Sequence, residues 1–136
     1  MRWSDVDTYG HVNNVVFFDY VAEARIALKE PLLDNAITGR GAEVEHTWMV
    51  ARQDLRYLAQ MQHRLAPYEV RTAIGRLGRT SMTLAAEVVD PEGGAVLARS
   101  TTVLVHGDAD GRPQPLPDEL HDAARRWAAI GAEGLA

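Results

Sequence analysis

Residues 3–25, W-S-D-V-D-T-Y-G-H-V-N-N-V-V-F-F-D-Y-V-A-E-A-R, constrain the fold more than any other stretch of the chain. Asp5 and Asp7 occupy a glycine-bearing turn, and Asn13 and Asn14 follow it. Asparagine is a favoured helix N-cap because its side chain accepts a hydrogen bond from the first helical turn. The helix predicted beyond it, about three turns long, is apolar on nearly every face: Val15, Val16, Phe17, Phe18, Tyr20, Val21, Ala22, Ala24, Ile26, Ala27 and Leu28. Only Asp19, Glu23, Arg25 and Lys29 interrupt it. A helix apolar almost all round is a buried helix, so the rest of the chain must wrap it. Its N-terminus sets unpaired N–H groups beside carboxylates.

The chain that supplies the wrapping has 136 residues, enough for one domain, 1–136, with its own core. It has no cysteine, which removes thiol nucleophiles, cysteine-rich zinc sites and disulfide scaffolds. A net charge of −5 argues against a nucleic-acid or anionic-membrane partner. A local basic cluster can still hold a small phosphorylated ligand. No apolar run reaches transmembrane length, and Met1-Arg2-Trp3 enters the acidic turn without a signal-peptide core. A cytoplasmic location is expected.

Met1 to Trp3 reads as the last piece of a strand, and Glu30 to Glu45, with Pro31, Gly39 and Gly41, as an irregular connection. From His46 the period changes to two. Met49, Ala51, Leu55 and Tyr57 are expected on one face of a first long strand, with Val50, Arg52, Asp54 and Arg56 on the other. Tyr68 to Arg76 sets Val70, Thr72 and Ile74 against Glu69, Arg71 and Ala73. Leu77-Gly78-Arg79 is a tight turn, and Ser81 to Val89 aligns Met82, Leu84, Ala86 and Val88. After the turn signal Asp90–Gly94, Ala95 to His106 is the last strand, and Pro117 opens a short helix running to about Ile130. The pattern predicts an α+β domain with a curled antiparallel sheet wrapped around the central helix. One sheet covers one side of a helix, so the remaining apolar surface predicts a homodimer or a dimer of dimers.

Ser4, Ser81 and Ser100 lack a nucleophile-elbow context. Asp5–Gly10 opens like a calcium loop, D-x-D-x-x-G, but Tyr9 and Val16 stand where oxygen ligands are required. His11 has no second histidine spaced to join it, so no metal is expected. What remains is a carboxylate at a helix start. In the simplest reading Asp5 and Asp7 shape an Asx-type turn, Gly10 supplies a permissive φ, and Asn13 or Asn14 caps the helix. Yet one asparagine suffices as a cap, and a buried helix end needs an acceptor for its N–H groups. A substrate carbonyl is one such acceptor, and Asp7 would then attack it or activate a water.

The run D-V-D-T-Y-G-H-V-N-N-x-x-F-F-x-Y, followed by an apolar helix, resembles the signature of the 4-hydroxybenzoyl-CoA thioesterase family of hotdog-fold proteins, including its long-chain acyl-CoA branch. V-A-R-Q-D-L-R-Y-L (50–58), L-G-R-T-S-M-T-L (77–84) and P-D-E-L (117–120) are similar to later parts of that family, in the same order. The resemblance implies that Asp7 is the catalytic carboxylate and that the backbone N–H of Asn14 polarises the thioester carbonyl. It also implies an acyl group beside the central helix and coenzyme A crossing to a neighbouring subunit. No cofactor is expected. The chain departs from the family in its short first strand, in Gln60 and Met61 where a proline is usual, and in Thr8 and Tyr9.

An acyl-CoA thioesterase is the reading that follows. Asp7 would act as nucleophile, through a mixed anhydride, or as general base. Gly10, His11, Asn13 and Phe17 are candidate substrate contacts, although a packed His11 and a core Phe17 are the plainer readings. Arg76, Arg79, Thr80 and Ser81 cluster at a hairpin, either gripping coenzyme A phosphates or simply solvated. Two alternatives stand: a hotdog dehydratase with His11 as base, and a non-catalytic acyl-CoA-binding dimer.

Overall fold

The computed structural model describes residues 1–33 and 47–131, with side chains for 1–28 and 47–125. Four antiparallel strands, β1 (Thr47–Tyr57), β2 (Glu69–Leu77), β3 (Ser81–Asp90) and β4 (Ala95–Gly107), form one sheet in the order β1-β4-β3-β2. Helix α1 (Val16–Leu33) precedes the sheet and α2 (Asp118–Gly131) follows it. Residues paired across antiparallel strands point to the same side. Val70, Thr72 and Ile74 of β2 face Val88, Ala86 and Leu84 of β3, and those face Ala98, Ser100 and Thr102 of β4. These are the inward faces that the alternation in β2 and β3 predicts.

The alternation expected in β1 fails at its middle. The register slips between Val50 and Arg52, so Ala51 is an extra residue. A bulge of this kind reverses which face later residues occupy. Trp48 and Val50 therefore pair with the buried His106 and Leu104, while Leu55 and Tyr57 pair with the buried Ser100 and Ala98. Met49 shares a face with Arg52, not with Leu55.

Two further expectations are corrected at the N-terminal end. Met1–Trp3 is no strand remnant: Trp3–Asp5 is a single 3-10 turn. The Arg2 backbone N–H donates to Asp5 Oδ2 at 2.6 Å and the Asp5 N–H donates to the Arg2 carbonyl at 3.1 Å, which curls the chain there. Helix α1 also continues past its expected end near Lys29 and carries Pro31 in its last turn, where proline removes a single donor. The rest of the expected irregular connection, residues 34–45, lies outside the described residues.

Helix α1 is covered on one side rather than enclosed. Phe17, Val21 and Leu28 are buried, whereas Ile26, and Val15 just before the helix, are 48% and 65% exposed. The reason is that α2 shares the inner face of the sheet. Leu116, Leu120, Ala123 and Ala124 pack with Leu28, Ile74, Met82, Leu84 and Leu104 over one half. Phe17, Val21, Val12 and Met61 pack with Ala86, Val88, Leu97 and Ala98 over the other half. The start of α1 thus sits where β1 ends. Among the described residues no helix is long and apolar enough to cross a membrane.

Candidate active site

Two neighbouring aspartates meet different fates. Asp5 is 2% exposed and fully engaged: Arg2 donates from its backbone N–H and its Nε, and the Tyr20 hydroxyl donates at 2.5 Å. Burial pushes the Asp5 carboxyl upward, but the bonds from Tyr20 and Arg2, with the Arg2 charge, outweigh it and hold the group below the ordinary carboxylate range. Tyr20 responds oppositely: burial first, then the bond to Asp5, holds its phenol far above the usual tyrosine range.

Asp7 opens a tight loop instead. Its N–H donates to the His11 carbonyl at 2.9 Å, and the Gly10 N–H donates back to the Asp7 carbonyl at 3.0 Å. Gly10 adopts φ 79°, the left-handed conformation such a three-residue hairpin needs at this position. Val6 and Val12 pair across the base of the loop. The Tyr9 N–H donates to Asp7 Oδ1 at 2.9 Å and orients the carboxylate. No group among the described residues bonds to the other oxygen, Oδ2.

At the helix start the two asparagines divide the work. The Asn13 side chain is the cap: its Oδ1 accepts the Val15 N–H at 3.0 Å. The Asn13 N–H itself is spent on the Asp5 carbonyl at 2.8 Å, and the Val16 N–H on the Asn13 carbonyl at 3.0 Å. The Asn14 N–H finds no acceptor among the described residues. The carbonyl of Asn14 is held from the sheet, where the Tyr57 hydroxyl donates to it at 2.7 Å. The Tyr57 ring meets Phe17 edge-on, with centroids 5.3 Å apart. Partial burial raises the Tyr57 phenol above its ordinary value.

A cavity of about 610 Å3 lies between these pieces, lined by Asp7, Tyr9, His11, Val12, Asn14, Phe17 and residues 57–61. The segment after β1 is pinned there because the Val12 N–H donates to the Met61 carbonyl at 2.8 Å and the Leu58 and Ala59 N–H groups donate to the Leu97 carbonyl. Of the residues singled out in the sequence, Asp7, His11, Asn14 and Phe17 meet at this cavity. Gly10 and Asn13 shape its rim through backbone and cap. Tyr57, Gln60 and Met61 also line it, and nothing in their local sequence announced that. The only pointers were that Tyr57 belongs to R-Y-L and that Gln60 and Met61 follow it closely, where the family usually has a proline.

Arg76, Arg79, Thr80 and Ser81 lie elsewhere. Ser81 pairs with Val105 at one end of the sheet, whereas Tyr57 pairs with Ala98, and Ala98 with Val88, at the other. Within one chain the hairpin does not reach the cavity. Its backbone is tied down by the His106 N–H on the Thr80 carbonyl and the Leu116 N–H on the Arg79 carbonyl, which leaves the Arg79 side chain exposed. Among the described residues no three His, Asp or Glu side chains converge to hold a metal ion.

An acid with a free oxygen and an unpaired amide line one cavity, an arrangement that suits acyl chemistry, and comparison with known proteins shows the family. The family model of the thioesterase-like superfamily matches residues 1–124. The chain belongs to this superfamily. A thioesterase from Thermus thermophilus, solved with coenzyme A and zinc, is 30% identical with a TM-score of 0.76, covering 95% of this chain and 90% of that one. The PA2801 protein of Pseudomonas aeruginosa is 32% identical with a TM-score of 0.75, covering 90% and 92%. A predicted thioesterase from Bacillus stearothermophilus is 26% identical with a TM-score of 0.77, covering 93% and 90%. No curated protein matches the sequence. The α+β architecture of this thioesterase-like chain is accordingly that of a hotdog fold, with α1 laid along the inner face of the curled sheet.

Proposed function

We propose that this chain hydrolyses an acyl-CoA thioester, as a member of the 4-hydroxybenzoyl-CoA thioesterase branch. One observation carries the reading: the free Oδ2 of Asp7 and the unpaired N–H of Asn14 belong to residues lining the same cavity. The thioester carbonyl oxygen accepts the Asn14 N–H, and as the carbon becomes tetrahedral the oxygen gains negative charge. One such donor contributes about 3–4 kcal/mol at that stage. Asp7 takes a proton from a water whose oxygen bonds to the carbonyl carbon, or bonds to that carbon itself and gives a mixed anhydride that water then opens. On either route the C–S bond breaks, coenzyme A leaves as a thiolate and is protonated, and the free acid remains.

The hairpin of Arg76, Arg79, Thr80 and Ser81 supports the same reading only from a second copy. It stands at the far end of the sheet from its own cavity, so the coenzyme A phosphates would be gripped by a neighbour, in a homodimer or dimer of dimers. The exposed apolar side chains Val15, Val50 and Leu58, close to the start of α1 and along the edge strand β1, support a contact there.

Release of free thiol from a panel of acyl-CoA substrates tests the proposal. Asp7→Asn is expected to lower kcat about 10^2–10^4-fold, with unchanged circular dichroism and unchanged mass in solution. Activity that survives the substitution removes Asp7 from the mechanism. Hydration of an enoyl thioester without thiol release would point to a dehydratase using His11. Tight acyl-CoA binding with no turnover would point to the non-catalytic dimer.

A further inference from the structure

We propose that Tyr68, braced by Arg64, is a positioning residue for the Asp7 loop, acting through the chain segment that walls its cavity. The inference rests on the acyl-thioester reading above and assigns to that site two residues outside its lining. Residues 57–61 line the cavity with Asp7 and Asn14, and residues 62–68 carry the chain on from there to β2. The wall and the Asp7 loop are joined edge to edge. The Val12 N–H donates to the Met61 carbonyl at 2.8 Å, and Gln62 forms an antiparallel bridge with His11. The carbonyl of His11 in turn accepts the Asp7 N–H at 2.9 Å. Whatever fixes Gln62 therefore steadies the residue that closes the Asp7 loop.

Gln62 is fixed by the Tyr68 hydroxyl, which donates to its carbonyl at 2.9 Å. The Arg64 guanidinium lies over the Tyr68 ring, 3.8 Å from its centroid, where cation and ring face attract. The same guanidinium donates to the Ala66 carbonyl at 3.2 Å and to the Pro67 carbonyl at 3.1 Å, folding residues 64–67 into a compact turn. It also pairs with Asp90 Oδ1 at 2.9 Å and with Glu92 Oε2 at 3.3 Å, in the turn between β3 and β4. That turn is itself ordered, since Asp90 accepts the Glu92 N–H on Oδ1 and the Gly94 N–H on its carbonyl. The Arg64 and Asp90 side chains are only 20% and 26% exposed, so water and salt screen the pair less than a surface pair. A planar fork of N–H groups can serve so many acceptors at once, whereas an ammonium cannot keep the same geometry. The tip of this segment, Leu65, stands in solvent, and loops of that kind are ordinarily mobile. Here the base of the loop is braced where it adjoins the cavity wall.

Thiol release from acyl-CoA is measured for wild type, Tyr68→Phe, Arg64→Ala and the double variant, each also in an Asp7→Asn background. Tyr68→Phe removes one oxygen atom and little packing, so it carries the decision. It should lower kcat about five- to tenfold, the effect of losing roughly one hydrogen bond, with KM nearly unchanged. Arg64→Ala should lower kcat at least as far, and the double variant should be no slower than the slower single one, because both act on the Gln62 carbonyl. With Asp7→Asn already present, Tyr68→Phe should take nothing further from the residual rate, a result that general destabilisation does not give. An unchanged kcat in Tyr68→Phe overturns the inference, as does the same fractional loss with and without Asp7. Hydrogen exchange over residues 5–15, read by mass spectrometry, separates the two levels of the argument. If no thioester is turned over at all, the hydrolase reading fails. The positioning role then stands if Tyr68→Phe speeds exchange over residues 5–15 while exchange over α2 and the melting temperature match wild type, and falls if it does not.

Discussion

At the scale of single residues, the account turns on how one loop assigns different tasks to chemically identical side chains. Asp5 and Asp7 are two positions apart, yet one is saturated with donors and the other keeps an oxygen free. The sequence presented them as a pair, because the partner that separates them, Tyr20, arrives from fifteen residues along the chain. Removing that partner in Tyr20→Phe leaves a buried carboxylate one donor short and should cost about 1–3 kcal/mol in urea unfolding at neutral pH. The pH dependence has a definite sign. The folded Asp5 carboxyl sits below its ordinary value, so its contribution is complete above the unfolded value near 3.9 and is lost as pH falls through the lower, folded one. Asp5→Asn should therefore be least stable relative to wild type at neutral pH and should approach it in strong acid. The asparagines offer a sharper contrast. Asn13→Ala should lose about 1 kcal/mol of stability with its cap, whereas Asn14→Ala, which keeps the backbone N–H, should retain activity to within about tenfold.

At the scale of elements, the meeting of α1 with the end of β1 decides whether the loop is held in place. Strands β2 and β3 were legible over residues 70–74 and 82–88, where the pairing register holds; it slips only beyond them, between Ile74 and Leu77 and between Val88 and Val89. Strand β1 was not, since the extra residue at Ala51 follows no local composition rule and is forced by pairing with β4. The consequence reaches the cavity: the bulge brings Tyr57 to the inner face, where its hydroxyl holds the Asn14 carbonyl. Tyr57→Phe should loosen this start of α1 and lower kcat about five- to tenfold, the effect of losing roughly one hydrogen bond, with KM changed far less. A rise in KM at constant kcat would mean that Tyr57 serves substrate binding rather than positioning.

At the scale of the whole molecule, the inner face of the sheet is shared by two helices, each closing half of the core. The apolar α1 was readable as a core helix, but its composition overstated how far it would be enclosed. The part played by α2 and the residues leading into it was understated, because Leu116, Leu120, Ala123 and Ala124 look modest as a list and become a core layer only against Leu28, Met82 and Leu104. Leu120 is fully buried, so Leu120→Ala should cost about 2–4 kcal/mol by denaturant unfolding. The same view explains why the arginine hairpin could not be placed from sequence. Proximity along the chain says nothing of which end of the sheet it occupies, or which copy it serves. If Arg79 of a neighbouring copy grips nucleotide phosphate, Arg79→Ala should raise KM for acyl-CoA several-fold, leave KM for a truncated acyl-pantetheine thioester unchanged, and blunt the salt dependence. The most direct test of the central claim is a crystal structure of Asp7→Asn bound to an acyl-CoA. The thioester carbonyl oxygen should lie about 2.7–3.1 Å from the Asn14 nitrogen, with residue 7 beside the carbonyl carbon. A thioester bound away from this helix start, or an Asn14 amide already bonded to a protein atom, would contradict the account.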